Sequence, residues 1–330
     1  TMDPISQGAL GAACGQSTAR SGKIIAASLA GCVSGMAADV DILIRSSEDP
    51  LLFLEFHRHF THSLIFIPLG ALICAAALHP VMRRYMSFRF SLLACLAGYA
   101  SHGLLDACTS YGTLLLWPFS DARISWNNVS VIDPLFTLPV GILALLAARR
   151  RRKGYAGLAL LWALAYLSIG YVQMLRALEA GSELAASRGH DAERPRAMPS
   201  IGNLWLWRHI YEHDGRIYAD AIQVLLEPTV FEGASLRALD TRDYRWLDPA
   251  STQAADLRRF GHFADGYLAV TQSDPNRIVD LRYSALPNDV IGIWSITLDP
   301  LADTDEHVRF VADRGAEPGQ AQRLLRMLVP

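Results

Sequence analysis

Apolar and polar positions divide this chain into two unlike parts. Long apolar runs dominate residues 1–175, whereas the remainder mixes apolar and polar positions as a water-facing domain does. Six apolar segments stand out: Ile5–Ala19, Ile24–Ala38, Ser63–Leu78, Phe90–Leu105, Pro134–Ala148 and Tyr155–Leu175. The last is long enough to cross a hydrocarbon core of about 30 Å at 1.5 Å per residue. The first two are short and rich in Gly and Ala, a composition that suits close helix packing in a membrane. The pattern predicts an α-helical polytopic membrane domain of about six transmembrane helices, followed by a smaller α+β soluble domain.

The arginines and lysines orient these segments. Arg20 with Lys23, then Arg83, Arg84 and Arg89, then Arg149–Lys153 occupy alternate connections, and the other connections are poor in basic residues. Basic loops stay cytoplasmic. Loops 39–62 and 107–133, and everything after residue 176, are therefore expected on the periplasmic side of a bacterial inner membrane. No cleavable signal is apparent, so the first segment is expected to stay in place.

The domains expected are a membrane domain over 2–175, a linker over 176–199 and an extracytoplasmic α+β domain over 200–330. In the last, β-branched and aromatic alternation predicts strands at Leu204–Tyr211, Arg216–Val224, Arg277–Tyr283, Ile291–Leu298 and Val308–Ala312, with helices at Pro249–Phe260 and Pro318–Met327. The four tryptophans of this part read as core or membrane-interface anchors.

Composition narrows the function. A net charge of −2 gives no reason to expect a nucleic-acid partner. The five cysteines all lie in the apolar half without a CxxC pair, which argues against a disulfide framework and a thiolate zinc site.

The ionisable residues at the ends of the apolar segments carry the chemistry. Asp39 and Asp41 follow the second segment, His57, His59 and His62 precede the third, His102 and Asp106 close the fourth, and Asp133 opens the fifth. All fall on the face that the basic loops assign to the outside. Such groups at membrane depth are costly and functional. His102 and Asp106, four apart, share one helix face and can grip one ion. His57 and His62 converge through a turn; His59 is the histidine set aside. The ligand set expected is Asp39, Asp41, His57, His62, His102, Asp106 and Asp133, although an Asp opening a helix is often only its N-cap. Imidazole and carboxylate without thiolate suit zinc, with manganese or iron as alternatives, and the number of donors suits two or three ions.

Several stretches carry a family resemblance: MDPISQGALGA at 2–12, ADVDIL at 38–43, HRHFTHSL at 57–64, GYASHGLLDACTSYGTLLLWPFS at 98–120 and NNVSVIDPLF at 127–136. The chain resembles the YdjM-like family, described as LexA-binding, inner-membrane-associated metal-dependent hydrolases. Many members carry a histidine near the start, where this chain has Gln7, and a proline where it has Ala38. More distantly the pattern is similar to zinc-dependent phospholipases C, whose HxxxD helix pair His102 and Asp106 match.

The function expected is a membrane-bound metal-dependent hydrolase acting on a phosphoester or other ester of a membrane lipid or lipid-linked substrate. Asp39 or Asp41 is the candidate general base, and Arg58 the candidate anion holder or, equally, a structural ion pair. Two rivals remain open at this point: a metal-stabilised scaffold that binds a protein partner through residues 200–330, and a transporter, which the one-sided placement of the charges disfavours.

Overall fold

A computed structural model describes residues 3–20, 22–313 and 319–329 of the chain. Met2 and Pro318, which begin the expected membrane domain and last helix, lie outside them. The chain divides into two compact units, one of residues up to 43, 56–172 and 201–204, the other of 44–55, 173–200 and 205 onwards.

The first unit is helical. α1 (Pro4–Thr18) starts where Asp3 accepts the N–H groups of Ile5 and Ser6, with proline in the first turn. α2 (Ile24–Met36) runs into a 3-10 turn at Ala37–Leu43. A Cβ at Gly11 would stand 2.5 Å from the Gly31 carbonyl oxygen, and one at Gly31 2.2 Å from that of Gly11. Only glycine permits this approach, so the Gly11/Gly15 and Gly31/Gly35 pairs let the two backbones touch. After α3 (Leu52–Phe56), most of which belongs to the second unit, and a 3-10 turn at Phe60–His62 come α4 (Ile67–Met82), α5 (Phe88–Ala107), α6 (Pro134–Arg150) and α7 (Lys153–Ser187), whose residues from Gln173 onward belong to the second unit. Phe136, Val140, Leu105, Val129 and Tyr166 form one core of this unit.

The expectation of about six spans is not supported. Three stretches among the described residues have the length and apolarity to cross a membrane: Ile24–Leu43, Leu64–Met82 and Lys153–Ser187. α1 has 15 residues and reaches about 22 Å, short of the ~30 Å core. α6 has 17, and α5, with 20, is interrupted by Arg89, His102 and Asp106. Half of the Ile24–Leu43 stretch is buried inside protein, against 22% for the other two. α2 is thus the more enclosed helix, whereas α4 and α7 leave most of their apolar surface exposed.

The second unit is an antiparallel meander of eight described strands in sequential order. They are β1 (Glu193–Pro199), β2 (Leu206–His213), β3 (Arg216–Val224), β4 (Pro228–Ala238), β5 (Leu268–Val270), β6 (Arg277–Asp280), β7 (Trp294–Thr297) and β8 (Arg309–Ala312). Two helices accompany them, α8 (Thr252–Phe263) and α9 (Gln320–Leu328). Ile210, Ile217, Tyr267 and Leu281 are fully buried between strands and connections. Over 176–199, where the sequence reads as a linker or a helix extension, α7 continues to Ser187 and β1 begins at Glu193.

Candidate metal centre

Three segments bring the ionisable residues together within the first unit. The 3-10 turn after α2 carries Asp39 and Asp41. The stretch after α3 carries His57 and, on the next 3-10 turn, His62. The last turns of α5 carry His102 and Asp106. At Gly103 a Cβ would meet the His62 carbonyl oxygen at 2.4 Å, so this glycine lets the histidine turn settle onto α5. Two groups with a shared member result: Asp39, His62, His102 and Asp106, then Asp39, Asp41 and His57.

Five of the six edges between the donors of the four-residue group are of the length a tetrahedral site requires. His62 Nε2 lies 2.9 Å from His102 Nε2, 3.3 Å from Asp106 Oδ2 and 3.6 Å from Asp39 Oδ1. His102 Nε2 lies 3.4 Å from Asp39 Oδ1 and 3.7 Å from Asp106 Oδ2. Four donors about 2.0–2.1 Å from a central ion would stand about 3.3–3.4 Å apart, within this range of edges.

Tautomers sharpen the point. His102 Nδ1 is 2.6 Å from the Gly35 carbonyl oxygen, which can only accept, so that nitrogen carries the proton and Nε2 of the neutral ring offers its lone pair. His62 Nδ1 lies 3.2 Å from Asp41 Oδ2, which favours the same tautomer. Two lone pairs facing at 2.9 Å repel unless a proton or a metal ion lies between them. Asp39 Oδ1 is buried and has no hydrogen-bond donor among the described residues, whereas Asp106 Oδ2 already faces the Arg58 guanidinium, with Nε at 2.9 Å. A buried acceptor without a donor calls for a cation. Burial opposes charge on His62, yet Asp106, Asp39 and Asp41 outweigh it and raise its pKa to about 10. A proton on His62 can therefore occupy the position between the two rings. Two imidazoles and two carboxylates, without sulfur, fit a zinc-like divalent ion.

A second layer of contacts holds these donors. Asp41 accepts from the Arg58 backbone N–H (2.9 Å) and from Thr61 Oγ1 (3.0 Å), and lies 3.0 Å from His57 Nδ1. Burial lowers the pKa of His57 to about 4 in spite of that carboxylate. Arg58 is fully buried with a left-handed φ of 61°. Its Nε stands 2.9 Å from Asp106 Oδ2, while Nη1 donates to the Asp106 carbonyl oxygen and to Thr109 Oγ1. The Tyr111 ring covers its guanidinium at 4.7 Å. Arg58 thus sits behind Asp106, away from solvent. Gln7 Nε2 donates to Asp106 Oδ1 at 2.9 Å and to the His102 carbonyl oxygen, and its own Oε1 is buried without a hydrogen-bond partner among the described residues.

Two of the expected participants stand elsewhere. Asp133 joins neither group, a correction to its expected role as a ligand: its Oδ1 caps α6 at Leu135 and Phe136, and the Tyr166 hydroxyl donates to its carboxylate at 2.8 Å. His59 packs among Phe56, Phe60 and Trp117. What the sequence reading missed is the Gly35 carbonyl and the Tyr99 hydroxyl, which donates to the Thr61 carbonyl oxygen at 2.8 Å; neither has a signal in residue type or spacing. A third His/Asp group, Asp49, Asp256 and His307 in the second unit, already has a cation: Arg259 pairs with Asp49 at 2.8 Å and with Asp256 at 2.9 Å.

The helices and the buried His/Asp cluster define a class: membrane-helix proteins with a polar centre at the helix ends, of a composition able to hold a metal ion. Residues 2–177 match the YdjM inner membrane protein family, and the chain belongs to that family. Over 123 residues it is 34% identical to the inner membrane protein YbcI of Escherichia coli (strain K12), an alignment that covers 34% of this chain and 68% of that protein. No solved structure matches.

Proposed function

We propose that this protein is a multi-pass inner-membrane hydrolase that depends on a divalent metal ion, with its site at the periplasmic face. The observation that supports the reading is the pair of Nε2 atoms facing at 2.9 Å beside Asp39 Oδ1, a buried carboxylate oxygen without a hydrogen-bond donor among the described residues, and Asp106 Oδ2. Asp39, His62, His102 and Asp106 would hold the ion, zinc by donor type, and Asp39, Asp41 and His57 a second. Bound there, a divalent ion supplies Lewis-acid chemistry and makes water a nucleophile near neutral pH.

The protein's own residues do the rest. Asp39 is the one member of the four-residue group with side-chain exposure, 15% against none for the others, so it meets water and accepts its proton. Asp41 orients the His57 ring by its Nδ1 edge. Arg58 keeps Asp106 ionised and in place, and acts through it rather than on substrate. Location supports the substrate class: a site at the ends of apolar helices would meet a phosphoester or other ester of a lipid without extracting it.

The test is hydrolysis of phospholipids and chromogenic phosphodiesters by the purified protein with added zinc or manganese. Asp39→Asn is expected to retain the fold and lose activity by about 10²-fold or more, the scale of a lost acid–base group. Full activity in that variant would remove Asp39 from the mechanism. A second reading, a metal-stabilised scaffold for a protein partner, has one observation in its favour: three of the four donors are fully enclosed, as in structural metal sites. A metal that binds but supports no hydrolysis of any ester class would favour it.

A further inference from the structure

α7 is apolar and lipid-facing as far as Leu175, which is 44% exposed, and polar from Arg176 onward. At that boundary it is tied to the turn between β3 and β4. Gln173 Nε2 donates to the Val224 carbonyl oxygen at 2.9 Å, and Arg176 Nη2 donates to those of Leu225 (2.6 Å) and Leu226 (3.1 Å). The turn therefore sits at the level of residues 173–176, within one helical turn of the last lipid-facing side chain. Its tip carries two leucines followed by an exposed glutamate, Glu227: Leu226 is 98% exposed, the highest value among the large exposed hydrophobics. An isolated water-facing turn carries Gly, Asn or Asp, not two leucines.

The same strand end is joined to α9. Trp205 Nε1 donates to the Leu328 carbonyl oxygen, Gln223 Nε2 to that of Met327, and the Val224 N–H to that of Trp205. α9 buries Met327 against the sheet and leaves Leu325 and Val329 exposed at 57% and 64%, with Arg326 also exposed. Exposed leucine and arginine on a short helix, with exposed Val329 just past its end, is the composition of an interfacial element.

We propose that the β3–β4 turn, with the exposed side of α9 beside it, docks into the acyl–headgroup boundary of the membrane that α7 crosses. Two features on different atoms agree. Leucine side chains at the tip would bury in acyl chain. The tip's carbonyl oxygens are already bonded by protein donors, as backbone must be where water is scarce. The occupant is lipid of the same bilayer. This inference rests on α7 spanning the membrane and is independent of the metal reading.

The test uses the full chain in nanodiscs of phosphatidylcholine and phosphatidylglycerol. A fluorescent amino acid is placed singly at Leu226, at Leu164 on the lipid-facing part of α7, and at Leu301, an exposed turn position of the second unit. Quenching is read with lipids brominated on the acyl chain and with aqueous iodide. The probe at 226 is expected to lose about half its emission to brominated lipid, as at 164, and to resist iodide, with the reverse at 301. Iodide quenching at 226 equal to that at 301, without loss to brominated lipid, would overturn the proposal in favour of water or a protein partner. An unquenched probe at 164 would overturn the span of α7, and the membrane contact with it.

Discussion

At the scale of single residues, the proposed metal centre rests on groups that would hold the ligands rather than bind ions. Gln7 reaches Asp106 from α1 with its amide nitrogen. Gln7→Leu is expected to weaken zinc binding about 10- to 100-fold, as loss of a ligand's hydrogen-bond partner does, measured by competition with a chelator. Unchanged affinity would make Gln7 a packing residue. Arg58→Met leaves Asp106 buried without its cation and is expected to cost about 3–5 kcal/mol in a detergent melt of the metal-free protein. The ligand cluster was legible in the sequence because charged residues in apolar runs are few and each ended a segment. Asp133 was misassigned for a physical reason: an aspartate before Pro134 has the same signature whether it caps a helix or meets an ion. The enclosed position of Arg58 had no sequence signal, since an arginine beside histidines reads equally as anion holder and as buried pair.

Elements show where short-range pattern suffices and where packing overrides it. β3 has the bounds that alternation predicts, Arg216–Val224, because both its faces are packed by neighbours. β1 was hidden: ERPRAMP carries charges and two prolines, a composition tolerated at a sheet edge and otherwise read as linker. α1 reads as a span in the sequence because its apolarity reports burial against α2 as readily as burial in lipid. Gly31→Leu would force the α1 and α2 backbones apart; loss of folded protein, or a melt lowered by more than about 2 kcal/mol, is the expected result. β2 also carries His209, fully buried beneath Gly181 of α7, where a Cβ would lie 2.3 Å from the ring. Burial lowers its pKa to about 4, with Asp220 opposing and Arg188 assisting. The folded state keeps this ring neutral, whereas the unfolded chain protonates it below about 6.5. Stability contributed by the neutral ring is thus present above about pH 6.5 and is lost as pH falls toward 4, by up to about 3 kcal/mol. Melts of the wild type at about pH 7 and about pH 5 should differ, and His209→Leu should reduce the difference. An unchanged pH dependence in that variant would place the titration elsewhere.

For the whole molecule, the account joins a helical membrane unit with a polar centre to a sheet unit that reads as water-facing. The two-part plan was visible in hydropathy alone, and family membership of residues 2–177 agrees with the first part. The number of spans was not legible, because segment length and packing partner are confounded for helices of 15–17 residues. The central claim is that His62, His102, Asp39 and Asp106 hold a divalent ion. The most direct measurement is elemental analysis of the detergent-purified protein, wild type beside His102→Ala/Asp106→Ala, with cobalt substitution to read coordination geometry. The account predicts stoichiometric metal in the wild type, absent from the double variant, and a strong tetrahedral cobalt spectrum. A folded wild type that takes up no zinc, manganese or cobalt would contradict it, and the two histidines would then share only a proton.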